Sequence, residues 1–226
     1  MPEGEVPVVV ELFSSEGCSS CPPADALFRE LEADASEDDV VLLPLELHVD
    51  YWNDLGWADP YSDAAYSERQ RDYARTARRR GVFTPEAIVD GRDSVSGADR
   101  AAIRGAARRA AVATEVRLTL KRAGARLVLT QAGQTDEPSS LVVAWTESAL
   151  ETRVTAGENR GSTLRHGPVV RALTRIGAAK AGATEIELPS LSSNGGRFGA
   201  VAFVQHVDDR AIVGATRLEL GSSIEP

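Results

Sequence analysis

A strand, helix, strand, helix, hairpin, helix order, a Cys-x-x-Cys pair at the start of the first helix, and a switch to period-two apolar patterning halfway along the chain together predict two domains. The first is an α/β, thioredoxin-like N-terminal domain over residues 1–113. The second is a mainly antiparallel, sandwich-like β domain over residues 114–226. The 226 residues suit two domains of about 100 residues each.

Val6–Phe13 is a short apolar run and reads as a buried strand. It ends in Ser14-Ser15-Glu16-Gly17, and Cys18-Ser19-Ser20-Cys21 follows. Pro22-Pro23-Ala24-Asp25 with apolar Ala26, Leu27 and Leu31 predicts a helix from Pro22 to Asp34. Proline is tolerated in the first helical turn, where an N–H would have no intrahelical partner. Val40–His48 is a second buried strand, so the three elements form a βαβ unit with parallel strands and a right-handed crossover. Asp50–Tyr61 lacks periodicity and reads as a loop. Ser62–Arg80 is a polar helix that stops at Gly81, with Arg78-Arg79-Arg80 at the negative end of its dipole. Glu86–Val89 and Arg92–Ser96 pair around Asp90-Gly91, a strong hairpin signal. Asp99–Ala113 is an Ala/Arg-rich helix. From Thr114 apolar residues alternate at Val116, Leu118 and Leu120, at Leu127 and Leu129, and at Leu141, Val143 and Trp145. Further strand-like runs are Val169–Leu173, Thr184–Leu188, Gly199–Val207 and Ala211–Leu220.

Composition narrows the function classes. Net charge is −9. Residues 1–113 hold 12 Arg against 22 Asp and Glu, while the remainder holds 13 basic and 12 acidic residues. An acidic front half argues against nucleic acid as partner, because phosphate binding needs a basic surface. No apolar run reaches the roughly 18 residues that span a bilayer. No basic, cleavable leader is visible, so the chain as given reads as cytoplasmic, or as exported if it is a trimmed mature form. Its two cysteines lie three positions apart, which marks a site for chemistry rather than a staple of a secreted fold.

The chemistry follows from electrostatics. A thiolate, not a thiol, attacks a disulfide, and a helix N-terminus stabilises it. Cys18, ahead of the helix, is expected to be the exposed nucleophile. Cys21, a turn later, is expected to be the buried resolving thiol. Thr84-Pro85 stands where a thioredoxin-like fold places a cis-proline beside the cysteines; X-Pro bonds are those that adopt cis at modest cost. Pro85 would shape the substrate groove and leave the Thr84 backbone free to bind. The loop after the second strand, with Tyr51, Trp52 and Trp57, should overhang Cys18, since parallel strands present their C-terminal ends to ligands. These aromatics read as a substrate cap or as an interface with the second half. Asp50, Asp54, Asp59 and Asp63 match no calcium-loop spacing and read as helix caps and solubilising charge. His48 reads as a thiol-tuning group or a satisfied near-core histidine. In the second half, Glu158, Asn159, Arg160 and His166 form a polar patch that reads as a possible second site or as a structured turn.

These motifs resemble a known family. Val10-Glu11-Leu12-Phe13, Gly17-Cys18-Ser19-Ser20-Cys21-Pro22-Pro23-Ala24-Asp25, His48-Val49-Asp50-Tyr51-Trp52, Leu55-Gly56-Trp57, Asp59-Pro60, Glu68-Arg69-Gln70 and Thr84-Pro85 look like domain of unknown function family 1223. Gly157-Glu158-Asn159-Arg160-Gly161, Leu164, His166 and Val169-Val170-Arg171 resemble its second signature. The resemblance implies a thioredoxin-like N-terminal domain and no established substrate, and its members are often exported.

The leading expectation is a thiol–disulfide oxidoreductase in which Cys18 attacks, Cys21 resolves and Pro85 shapes the groove. Its partner would be a protein or small-molecule thiol or disulfide, with no cofactor and no resident metal. Three readings stand beside it: an inert cysteine pair, a zinc or copper module using both thiolates with a histidine (His48, His166 or His206) and a carboxylate, and a non-catalytic binding protein on the same scaffold.

Overall fold

The computed structural model describes residues 4–33, 36–37 and 39–224; Asp34, the expected end of the first helix, lies outside them. Among the described residues the elements run β1 (Val6–Ser14), α1 (Pro22–Ala33), β2 (Ser36–Glu37), β3 (Val40–His48), α2 (Ala64–Thr76), β4 (Glu86–Val89), β5 (Asp93–Ser96) and α3 (Arg100–Ala111). They continue with β6 (Arg117–Ala123), β7 (Arg126–Ala132), β8 (Ser139–Ser148), β9 (Leu150–Arg153), β10 (Thr163–His166), β11 (Val169–Ala178), β12 (Gly182–Glu187), β13 (Arg197–His206) and β14 (Ile212–Gly221). Among the described residues no helix is long and apolar enough to cross a membrane.

The expected thioredoxin-like α/β domain followed by a separate β domain is overturned. Strands of both halves form one mixed nine-stranded sheet in the order β14-β13-β8-β11-β3-β1-β4-β5, with β2 also on β3. Among the described residues, fourteen strands against three α-helices make the protein mostly β. The join is parallel pairing of β11 with β3 at Val169 and Glu46. The Glu46 N–H donates to the Pro168 carbonyl (2.9 Å), and the Gly167 N–H donates to Glu46 Oε1 (3.0 Å). Periodicity reveals which face a residue occupies but not which strand lies beside it, so a pairing across more than a hundred residues leaves no local trace. One clue is compositional: all nine positions of β3 are buried, as befits a strand interior to a sheet covered on both faces.

Strand alternation sorts the side chains. Val9, Phe13, Val41, Leu43, Leu45 and Leu47 share a core with Tyr66 and Tyr73 of α2 and with Val142, Val201 and Phe203 of the second half. Val8, Val10, Leu12 and Leu42 pack on the other face against Leu27, Phe28 and Leu31 of α1 and Ile103 of α3. The small sheet β12-β7-β6 covers the second half of that face, around Trp145 and Phe198. Helix α2 is shorter than its polar run suggested. Asp63 caps it by accepting from the Ala65 N–H (2.8 Å), and Arg79 beyond its end pairs with buried Glu86 (2.5 Å).

Asp90 and Gly91 take positive φ (45° and 69°) in the three-residue turn 90–92 that joins β4 to β5, a conformation that Asp and Gly tolerate. A side chain at Gly91 would collide with the Arg210 carbonyl, 1.9 Å from the Cβ position. Asp90 is buried, and its carboxylate accepts from the Val9 N–H (2.7 Å). Burial first, and Glu11 to a lesser degree, push its pKa up to about 8 against the pull of the Val9 N–H and Arg92. The folded state therefore holds a proton that the unfolded chain releases near pH 4. Stability from this group is full below about pH 4 and is lost as pH rises toward about 8. Asp90→Asn keeps an acceptor for Val9 and tolerates positive φ. Urea unfolding should find it equal to the parent near pH 4 and more stable by at least about 2 kcal/mol near pH 8.5.

Candidate functional site

The C-terminal ends of parallel β1 and β3 open onto one edge, and the cysteine motif leaves β1 there. Cys18 N–H donates to the Ser15 carbonyl (3.1 Å), Cys21 N–H to that of Cys18 (3.2 Å), and Asp25 N–H to that of Cys21 (3.2 Å). The motif thus winds directly into α1. Cys18 and Cys21 form a disulfide. The expected contrast between an exposed Cys18 and a buried Cys21 is absent: both are fully buried, and Ser19 and Ser20 take the solvent.

Cys18 Sγ has the Ser20 hydroxyl (3.3 Å) and the Thr84 hydroxyl (3.4 Å) beside it, and the second half of the chain holds the backbone of the motif. Strands β9 and β10 form a two-stranded ribbon whose connecting loop, residues 154–162, reaches the motif. Asn159 Nδ2 donates to the carbonyls of Glu16 (2.8 Å) and Cys18 (3.0 Å). Glu158 accepts from the Ser19 N–H (3.1 Å), and hydrogen bonding by Ser19 holds its carboxyl below the ordinary range. Gly157 lets the loop close, since a Cβ there would sit 3.0 Å from the Trp57 Cβ. Arg160 is exposed, its N–H closing the turn onto the Gly157 carbonyl (3.2 Å).

The remaining site residues expected from sequence are distributed as follows. The Thr84–Pro85 peptide is cis. The Trp52 indole donates to Thr84 Oγ1 (2.9 Å), and Thr84 Oγ1 donates to Cys18 Sγ (3.4 Å). The Thr84 carbonyl, expected to be free, has the Ser20 hydroxyl 3.5 Å away. Tyr51 turns its hydroxyl to Gln70 Oε1 (3.0 Å). The Trp57 indole donates to Glu16 Oε2 (2.8 Å). His166 Nε2 lies 3.0 Å from Glu16 Oε1. The aromatic loop is therefore both neighbour to the disulfide and interface with the second half.

Beneath the motif lies a buried polar cluster that sequence reasoning missed: Glu16, Asp25, Glu46 and Asp59 with His48 and His166, each at most 4% exposed. Asp59 Oδ2 holds His48 Nδ1 (2.7 Å) and accepts from the Glu16 N–H (2.7 Å), so Asp59 is not solubilising charge. Burial opposes charge on both partners, yet their mutual attraction and hydrogen bond prevail. The His48 pKa lies well above its usual value and that of Asp59 below it. Burial, then repulsion from Glu46, raises Asp25 to about 7, although His166, His48 and the Ser14 hydroxyl (2.6 Å) favour its carboxylate. A charged residue inside the apolar run Val40–His48 was the available signal. Glu46 and His48 are two apart and so share the α1 face.

Fold and site define a mixed-sheet protein with a cysteine pair at a helix N-terminus, capped by its own C-terminal half. The chain belongs to the family described as Protein of unknown function (DUF1223), whose model matches residues 9–205. It is similar to the crystal structure of protein AGR_C_4864 from Agrobacterium tumefaciens, with 33% identity, a TM-score of 0.75 and 96% of each chain covered. A β-glucuronidase of Dictyoglomus thermophilum matches 47% of this chain and 15% of its own, at 11% identity and a TM-score of 0.19, too low to carry any argument. No curated protein matches.

Asn159, with two hydrogen bonds to the turn that holds the cysteines, and Glu158, with one, tie the loop to the motif. Asn159→Ala removes two hydrogen bonds worth about 1 kcal/mol each. Reduction of the disulfide by excess dithiothreitol, followed by stopped alkylation, should be up to roughly thirtyfold faster than in the parent. An unchanged rate would show that the cap does not limit access.

Proposed function

We propose that the chain is a thiol–disulfide oxidoreductase acting through the Cys18/Cys21 couple on a protein or small-molecule thiol or disulfide. The observation that carries this reading is the closed cysteine pair at the N-terminus of α1 with the Thr84 hydroxyl directed at Cys18 Sγ. In the reduced form, the helix end and the Thr84 hydroxyl both favour a Cys18 thiolate. That thiolate attacks a substrate disulfide, forming a Cys18–substrate bond and releasing one substrate thiolate. The Cys21 thiolate then attacks Cys18 Sγ, closes the Cys18–Cys21 bond and releases the second. The substrate gains two electrons and the pair loses two; a substrate dithiol runs the same steps backwards.

Both sulfurs are covered, so the reading requires the 154–162 loop or the Trp52 side of the site to yield before a substrate reaches Cys18. Thr84 and Pro85 would line the groove then exposed, with Tyr51, Trp52 and Trp57 along it. Glu158, Asn159 and Arg160 would form its movable wall.

The test follows reduction of glutathione disulfide and oxidation of a dithiol peptide. Wild-type protein should turn over in at least one direction. Cys18→Ser should show none, and Cys21→Ser should accumulate a mixed disulfide visible by mass. Alkylation of reduced Cys18 should have its midpoint below the free-thiol value of about 8.5. Turnover that survives Cys18→Ser would end this reading.

A further inference from the structure

We propose that Glu46, His48 and His166 form a buried binding site for one divalent transition-metal ion, distinct from the two cysteines. Their ligand-capable atoms lie within 4.8 Å of one another, and all three residues are buried. Glu46 Oε2, His48 Nε2 and His166 Nδ1 are each buried without a hydrogen-bond partner. Glu46 Oε2 is 4.0 Å from His48 Nε2 and 3.8 Å from His166 Nδ1.

Those separations argue for a metal over an ion pair. A charged imidazole bonded to a carboxylate would close to about 2.7–2.9 Å, as His48 does with Asp59 on its other side. Three ligand-capable atoms, unpaired and facing one another, with two separations of 4.0 and 3.8 Å and a third no greater than 4.8 Å, instead outline a space that one ion can fill. An ion in the plane of these three atoms and equidistant from them would lie no more than about 2.5 Å from each. Closing by a few tenths of an ångström reaches the ~2.0–2.2 Å of a zinc shell.

The surroundings support the same assignment. Asp59 holds the far nitrogen of His48, and Glu16 that of His166. Carboxylates in those positions fix the tautomer that turns the free lone pair inward and raise its basicity. Glu46 Oε1 is held by the Gly167 N–H, leaving Oε2 for an ion. Two imidazoles and one carboxylate suit zinc and its first-row neighbours rather than calcium or magnesium. The fourth position falls to water. A cleft of about 740 Å³ beside α1 and the β9–β10 ribbon reaches His166, whose side chain is fully buried.

The test uses the full chain, oxidised so that no thiolate is available, stripped with a chelator, then titrated with zinc and with cobalt(II). One ion per chain should bind, and cobalt should show d–d bands without a sulfur-to-cobalt charge-transfer band. Glu46→Gln and His166→Gln should each weaken zinc binding by at least the ~100-fold at the upper end of outer-shell losses. The Cys18→Ser/Cys21→Ser double variant should bind as the parent does. Absence of stoichiometric zinc in the parent, equal affinity in Glu46→Gln, or loss confined to the cysteine variant would each overturn the site. If the ligand variants fail to fold by circular dichroism, the cobalt spectrum of the parent decides alone. Zinc binding and thiol turnover are separate readouts, so either can fail without the other.

Discussion

Glu46 is the residue on which the two halves of the chain meet. Its backbone makes the parallel contact between β3 and β11, and its side chain takes the Gly167 N–H that leads into β11. Because β10 ends at His166, just before that contact, pinning β11 also delivers His166 to the α1 face of β3. The loop ahead of β10 is thereby carried over Cys18. A carboxylate in the middle of an apolar strand is expensive unless its oxygens are engaged. Its presence makes sense only in the assembled sheet.

The two faces of the central strands handle buried charge in opposite ways. On the α2 face, Glu11 is closed by Arg69 through two bonds (2.6 and 3.0 Å), with Tyr73 and Gln205 completing the network. Opposite charges there are matched and the geometry is bidentate, the arrangement in which a buried pair offsets its desolvation. On the α1 face, four carboxylates meet two imidazoles, and three inward-pointing atoms stay unpaired. Both networks hang from the same strands, so the imbalance of the second belongs to that site and not to a generally polar core.

Local chemistry was legible in the sequence and long-range pairing was not. The Asp90-Gly91 hairpin, the strand Val40–His48 and the proline-led start of α1 each rest on a few adjacent residues, and each stands where the pattern placed it. The family resemblance, too, was carried by contiguous motifs. The contact of β11 with β3 depends on residues far apart in the chain, and without it a change of texture near residue 113 looks like the edge of a separate β domain. The same blindness misplaced Asp59, which has the sequence context of a solvated loop acid but is drawn inward by His48. It also misjudged Cys18, which is fully buried, with Thr84, 66 residues away, at its sulfur and Asn159 at its carbonyl.

Glu16 shows why cap, cluster and disulfide act as one unit. Its N–H goes to Asp59, its carboxylate to Trp57 and His166, and its carbonyl to Asn159. Asn159 and His166 belong to the same ribbon and loop, one holding the cysteine turn from above and the other anchored in the buried cluster below. Lifting the loop from Cys18 would break the bonds of buried Asn159 and exposed Glu158, while His166 stays buried between Glu16 and Glu46. In the opening that the proposed thiol chemistry requires, the ribbon would therefore pivot at its His166 end, and a cation bound there would stiffen the base of the cap.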